Sequence, residues 1–186
     1  MKYYVVTYSG FFGFIKPWTA VRDASGGETY SQQFLTPSIV EGIRQKLEVK
    51  EIIRHKLIYA GLDIQQETVT AKGWSKKNKK YFKEKSILKR GVMLYPVLSL
   101  VFKDQVDAEK AFCQHVCLCR NEDILLPIGE IKEMIDHEFD QLNGYELRFG
   151  ESDQSFLVGY DRFRDNKEMW GWIEITGNPI HKSEYE

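Results

Sequence analysis

Apolar positions crowd at strand spacing over Lys2 to Tyr8 (KYYVVTY), a β-branched and aromatic run that stops at Ser9-Gly10 and predicts a first strand. An aromatic loop with two glycines follows from Gly10 to Trp18, and Ser25-Gly26-Gly27 marks a turn before a short extended piece, Glu28 to Leu35. The period changes at Thr36. That residue is a good N-cap, Pro37 suits the first helical position, and Ile39, Ile43 and Leu47 recur every four residues as one apolar stripe, which predicts a helix. Gly42 within it costs about 1 kcal/mol relative to alanine, and a close backbone approach is the expected compensation.

His55 to Ile64 predicts a second strand, continued as extended chain by Gln65 to Ala71, and Ser86 to Phe102 is strand-like again, with a bulge or bend at Gly91 and Pro96. Asp107 caps a second helix that carries Ala108, Ala111, Phe112 and His115 on one side and ends near Arg120-Asn121. Leu125 to Gly129 is a tight apolar turn, and Arg148 to Tyr160 and Met169 to Thr176 are short strands. The order strand, helix, strand, strand, helix, strand predicts the α+β class. The expected architecture is a ferredoxin-like or RNA-recognition-like split βαβ sheet over 1–140, with a basic loop at 72–90 and a reduced β-rich C-terminal extension over 141–186.

Composition narrows the function. A chain of 186 residues, 42% hydrophobic and 13% aromatic, fills one core and excludes global disorder. Its longest apolar runs, such as Val97 to Phe102 and Ile124 to Ile128, fall far short of the roughly 20 residues that cross a bilayer, so no membrane partner is expected. The first residues read as a strand, not as an export signal, and Cys113, Cys117 and Cys119 suit a reducing cytoplasm better than a disulfide framework. With His115 those cysteines lack the second short-spaced pair of a zinc site, so ordinary thiols and no metal are expected. No nucleophile elbow, zincin motif or phosphate-binding loop occurs, and no small-molecule cofactor is expected.

Charge changes the picture most. Lys72 to Arg90 holds nine basic residues against one acid, Glu84, whereas 121–186 holds 16 acids against six bases. The basic stretch interleaves Trp74, Tyr81 and Phe82 with lysines, and lysines neutralise phosphates while aromatic faces stack on unpaired bases. The candidate RNA contacts there are Trp74, Lys76, Lys77, Lys79, Lys80, Tyr81, Lys83, Lys89 and Arg90, with Lys16, Trp18 and Arg22 of the N-terminal loop as a second stacking surface. The competing structural interpretations are a solvated hairpin tip for the first group and core packing under a glycine-bent loop for the second.

Several motifs stand in a fixed order: Phe14-Ile15-Lys16-Pro17, then Glu28-Thr29-Tyr30-Ser31, then Thr36-Pro37-Ser38-Ile39 with Gly42. Ile53 to Glu67, Ser86 to Tyr95 and Pro127-Ile128-Gly129-Glu130-Ile131-Lys132-Glu133 follow. Over residues 3 to 140, with a faint echo at Trp170-Gly171-Trp172, the chain resembles the CRISPR-associated Cas-five family of the RAMP superfamily, closest to its type I-C branch. The resemblance implies a subunit that holds the 5′ handle of a CRISPR RNA in a Cascade-type complex and contacts its backbone and large subunits. In that branch the protein also cuts precursor RNA without metal, using a Tyr after the first helix and a Lys-His pair by the second. Here Leu47-Glu48-Val49-Lys50 offers no Tyr, and Lys110 and the displaced His115 stand where the pair is expected, so binding without catalysis is the expectation. Two alternatives remain: a reduced homologue, encoded by a phage or mobile element, that replaces the native subunit and blocks assembly, and an endoribonuclease using Lys110 and His115.

Overall fold

Strand β1 (Lys2–Ser9) is buried on both faces, and this places it at the centre of the molecule. Val6 and Tyr8 point into a large core, whereas Tyr3 and Val5 point the other way into a smaller one, so an unbroken apolar run is what the position demands. The computed structural model describes residues 2–17, 28–161 and 165–180. The turn expected at Ser25-Gly26-Gly27 lies outside them.

The remaining described elements, in chain order, are β2 (Phe12–Gly13), β3 (Glu28–Tyr30), α1 (Pro37–Leu47), β4 (Arg54–Ile58), β5 (Gly61–Lys77), β6 (Lys80–Leu94), β7 (Val97–Phe102) and α2 (Gln105–Phe112). They continue with β8 (Val116–Cys117), β9 (Ile124–Ile135), α3 (Asp136–Gln141), β10 (Gly144–Phe149), β11 (Phe156–Asp161) and β12 (Lys167–Thr176). Eight strands form one antiparallel sheet in the order β11-β12-β10-β4-β7-β1-β9-β8. Ile43 and Leu47 of α1 and Ala108 and Ala111 of α2 cover one face of its middle, over Leu57, Leu98, Leu100 and Phe102. Phe139 of α3 covers the other face, against Val101. A second sheet is built on β6, which pairs with β5 along one edge and with β2 and β3 along the other.

This architecture overturns the expected α+β class. The strands and helices of the expected order exist, but the sheet does not stop at them: β10 pairs with β4 and β8 with β9, so the sheet reaches eight strands. The hairpin adds another sheet, and the chain is mostly β instead of a ferredoxin-like split βαβ fold. Individual boundaries shift too. The strand read through His55–Ile64 ends at Ile58, and β5 starts anew at Gly61 in the other sheet. The second helix begins at Gln105 with Asp104 as its N-cap and stops at Phe112; Asp107 is buried, and its carboxylate accepts from the Lys50 N–H at 3.0 Å. The apolar turn at Leu125–Gly129 is part of β9, with Gly129 at φ +66 inside the strand.

Helix α1 starts where expected, the Thr36 hydroxyl accepting from the Ile39 N–H at 3.4 Å. Gly42, however, has no atom of the described residues outside its own helix within 4 Å of the position an alanine methyl would take, so no close approach offsets its entropy. Gly42→Ala therefore stabilises the protein by about 1 kcal/mol, a rise of roughly 3 °C in Tm that a thermal melt measures.

On β4, alternate side chains serve opposite faces. Arg54 and Lys56 reach over the Phe139 ring, at 4.7 and 5.4 Å from its centroid. Lys56 also donates to the carbonyls of Asp140 and Leu142, at the end of α3. His55 is buried, and its Nε2 has no hydrogen-bond partner among the described residues. Burial, helped by the Arg54 charge, pushes its pKa down to about 4, against 6.5 for a free side chain. The unfolded chain then binds a proton that the folded one refuses, so stability is lost as pH falls from about 6.5 to 4, on the order of 3 kcal/mol in all. Urea midpoints at about pH 7 and 4.5 check this: they should separate more for the native chain than for His55→Gln.

Candidate nucleic-acid interface

The residues singled out at 72–90 belong to a two-stranded ribbon, not a loop, with 74–83 at its far end. Lys77 pairs with Lys80 across a two-residue turn in which Asn78 and Lys79 both take positive φ, 52 and 63. Two consecutive left-handed residues match the right-handed twist of a hairpin, and Asn is well suited to the first of them. Lys76 then faces Tyr81, Ser75 faces Phe82, and Trp74 faces Lys83.

Strand alternation sorts these pairs between two faces. Trp74, Lys76, Tyr81 and Lys83 share one face, aromatic opposite lysine twice over. The Lys83 amine lies 5.6 Å from the Trp74 ring and the Lys76 amine 5.5 Å from the Tyr81 ring. Both rings stay open to solvent, Trp74 at 62% and Tyr81 at 66%. Ser75, Lys77, Lys80 and Phe82 share the opposite face, with Lys79 at the turn. No acid among the described residues pairs with any of the five lysines at this tip. The result is a strip of unneutralised cations with two exposed rings between them, chemistry suited to a phosphate chain with unstacked bases.

The other candidates lie elsewhere. Lys89 and Arg90 sit at the base of the ribbon, about 30 Å along the strand from Tyr81. Lys89 donates to Glu28 at 3.1 Å, Arg90 pairs with Glu67 at 3.3 Å, and Arg90 also lies over the Phe14 ring, so both are engaged with the body of the protein. Lys16 is exposed in the loop after Phe14 and Ile15, which are buried, whereas Phe11 earlier in that loop is exposed. Trp18 and Arg22 lie outside the described residues. Lys110 is exposed near the end of α1, its amine 3.4 Å from the Glu48 carbonyl, and His115 is exposed beyond α2. Cys113, Cys117 and Cys119 are free thiols.

One residue that sequence reasoning missed fastens the ribbon. Arg120 donates to Gln65 at 2.7 Å and Glu67 at 3.0 Å on β5, and it pairs with the fully buried Asp123 beside it. Its guanidinium stands 5.5 Å from the Phe14 ring that Arg90 also approaches, so two arginines flank one phenyl ring at the hairpin's root. Its partners on β5 are more than fifty positions away in the chain, and no local pattern shows such a link.

No helix among the described residues is long and apolar enough to cross a membrane. No protein-family model matches the sequence, and no curated protein matches it. A solved crystal structure of a Cas protein is similar to the chain with a TM-score of 0.42 and 12% identity, over 97% of this chain and 98% of that one; similarity at that level carries no argument about function.

Proposed function

We propose that this chain is an RNA-binding protein that holds a single strand against the tip of the β5–β6 ribbon. The observation that carries the reading is the shared face of Trp74, Lys76, Tyr81 and Lys83, with both rings exposed and neither amine paired with an acid among the described residues. Lysine charge supplies affinity for any phosphate chain, and the rings select for bases that are free to stack, which favours single strands and loops over duplex. The resemblance to Cas-five proteins makes the 5′ handle of a CRISPR RNA the RNA of choice and Cascade-type subunits the partners. Cleavage is not part of the reading, because Lys110 and His115 belong to α2 and the segment after it and not to the ribbon tip, and Leu47-Glu48-Val49-Lys50 at the end of α1 holds no Tyr.

The test uses the rings and not the charges. Trp74→Ala and Tyr81→Ala each weaken binding of a fluorescent single-stranded repeat RNA by about tenfold or more, with the salt dependence unchanged, because stacking is lost and phosphate neutralisation is not. Equal affinity of both variants and the native chain, measured by anisotropy, would sink the reading.

A further inference from the structure

The root of the ribbon carries a further exposed ring. Tyr30 of β3 pairs with Gly91 of β6 in the parallel ladder, and Gly91 pairs with Ile64 of β5. A methyl group on Gly91 would collide with Cγ, Cδ1 and Cε1 of Tyr30, so the ring is seated across the glycine. Tyr30 is nevertheless 50% exposed, and Ile64 beside it is exposed as well. An aromatic ring seated on a sheet and half open to solvent is a platform on which an unpaired base can stack.

Register puts this platform on the side of the ribbon that bears Trp74 and Tyr81. Thr70 pairs with Lys85 and Trp74 with Lys83, so the extra residues at this register shift lie on β5, and alternation along β6 runs unbroken. Tyr81, Lys83, Ile87, Lys89 and Gly91 therefore share one face, which winds with the twist of the ribbon. Arg90, Gln65 and Glu67, which bond to Arg120 or to each other, belong to the opposite face. Between the tip and Tyr30, Ile87 is 60% exposed and adds an apolar surface. Lys89 is neutralised by Glu28 at 3.1 Å, so what the root offers a ligand is stacking and apolar contact, not charge. The cations at the tip open directly onto this face, and a polyanion held by them reaches Tyr30 without leaving the ribbon.

We infer that a single strand of RNA bound at the tip continues along this face and stacks a further base on Tyr30. The inference rests on the RNA-binding reading and gives that site a length. Ten residues of strand from Tyr81 to Gly91 span about 33 Å, and a stacked strand advances about 3.4 Å per nucleotide, so the path takes about ten nucleotides.

The experiment compares two fluorescent single-stranded RNAs, of about 4 and about 14 nucleotides, by anisotropy with the full chain. A ring that only shields Gly91 is replaceable by an apolar side chain, whereas stacking requires a ring. Tyr30→Leu should therefore raise the Kd of the longer RNA about tenfold, leave its salt dependence unchanged and leave the shorter RNA unaffected, while Tyr30→Phe binds both as the native chain does. Native affinity of Tyr30→Leu for the longer RNA overturns the inference. So does a loss shared equally by the shorter RNA or by Tyr30→Phe. The tip and the root fail separately: Trp74→Ala weakening both RNAs while Tyr30→Leu weakens neither removes the root and keeps the tip. Trp74→Ala and Tyr81→Ala without effect on either RNA remove the tip reading, and the continuous path with it.

Discussion

Replacing Lys76, Lys77, Lys79 and Lys80 together by alanine is expected to lower affinity for single-stranded RNA by two to three orders of magnitude at about 0.1 M salt. Each lysine that neutralises a phosphate of a single strand contributes about 0.7 to the slope of log K against log salt, so four of them contribute about 3. The same variant should therefore show a slope shallower by about 3 as well as a weaker Kd. All four side chains are exposed and none pairs with an acid among the described residues, so the folded structure loses little with them beyond the Lys76 amine over the Tyr81 ring. The faces allow a finer division. Lys76 shares its face with Trp74 and Tyr81, whereas Lys77 and Lys80 lie opposite, and a strand tracking the rings should respond more to Lys76→Ala with Lys83→Ala than to Lys77→Ala with Lys80→Ala. Titrations at several salt concentrations check both statements. An unchanged slope in the fourfold variant would show that RNA is held elsewhere.

The ribbon also shows what the sequence makes legible and what it hides. Its composition is local, so the lysines and rings stood out directly; its pairing is not, and the face that Trp74 shares with Tyr81 appears only once Lys77 is known to meet Lys80. β1 and α1 were legible because each carries its own period and its own stop or cap. β9 was not, since Pro127-Ile128-Gly129 has the chemistry of a turn. Pro127 is tolerated there because it pairs with Tyr8 on one side and lies past the end of β8 on the other, where its missing N–H leaves no ladder bond unmade. α3 escaped because six residues with one buried side chain, Phe139, are too few to show a period. The expected fold class failed for a related reason. Element order counts strands that are recognised, but whether β10 adds to β4 depends on contacts such as Arg54 with Glu146, 92 positions apart.

That contact sets the largest stability effect expected. Arg54 is 11% exposed and Glu146 2%, their bonds are 2.7 Å long, and Arg54 reaches Asp140 as well. Burial alone disfavours the Arg54 charge, but its bonds to Glu146 and Asp140 outweigh that and hold it firmly protonated. Since β4 and β10 share one registered pair, this ion pair does much to fasten β10 to β12 onto the rest of the sheet. Arg54→Leu leaves the Glu146 carboxylate buried without its two short guanidinium bonds, with Arg148 Nε at 3.6 Å, and the expected cost is about 3 to 5 kcal/mol, or roughly 10 °C in Tm. The penalty comes from stranding a charge and not from losing an attraction, which makes one further outcome distinctive. Arg54→Leu combined with Glu146→Leu should be more stable than Arg54→Leu alone, because the Glu146 charge is no longer stranded. A double variant no better than the single would mean that packing against Phe139 and not charge pairing holds the two halves of the sheet together.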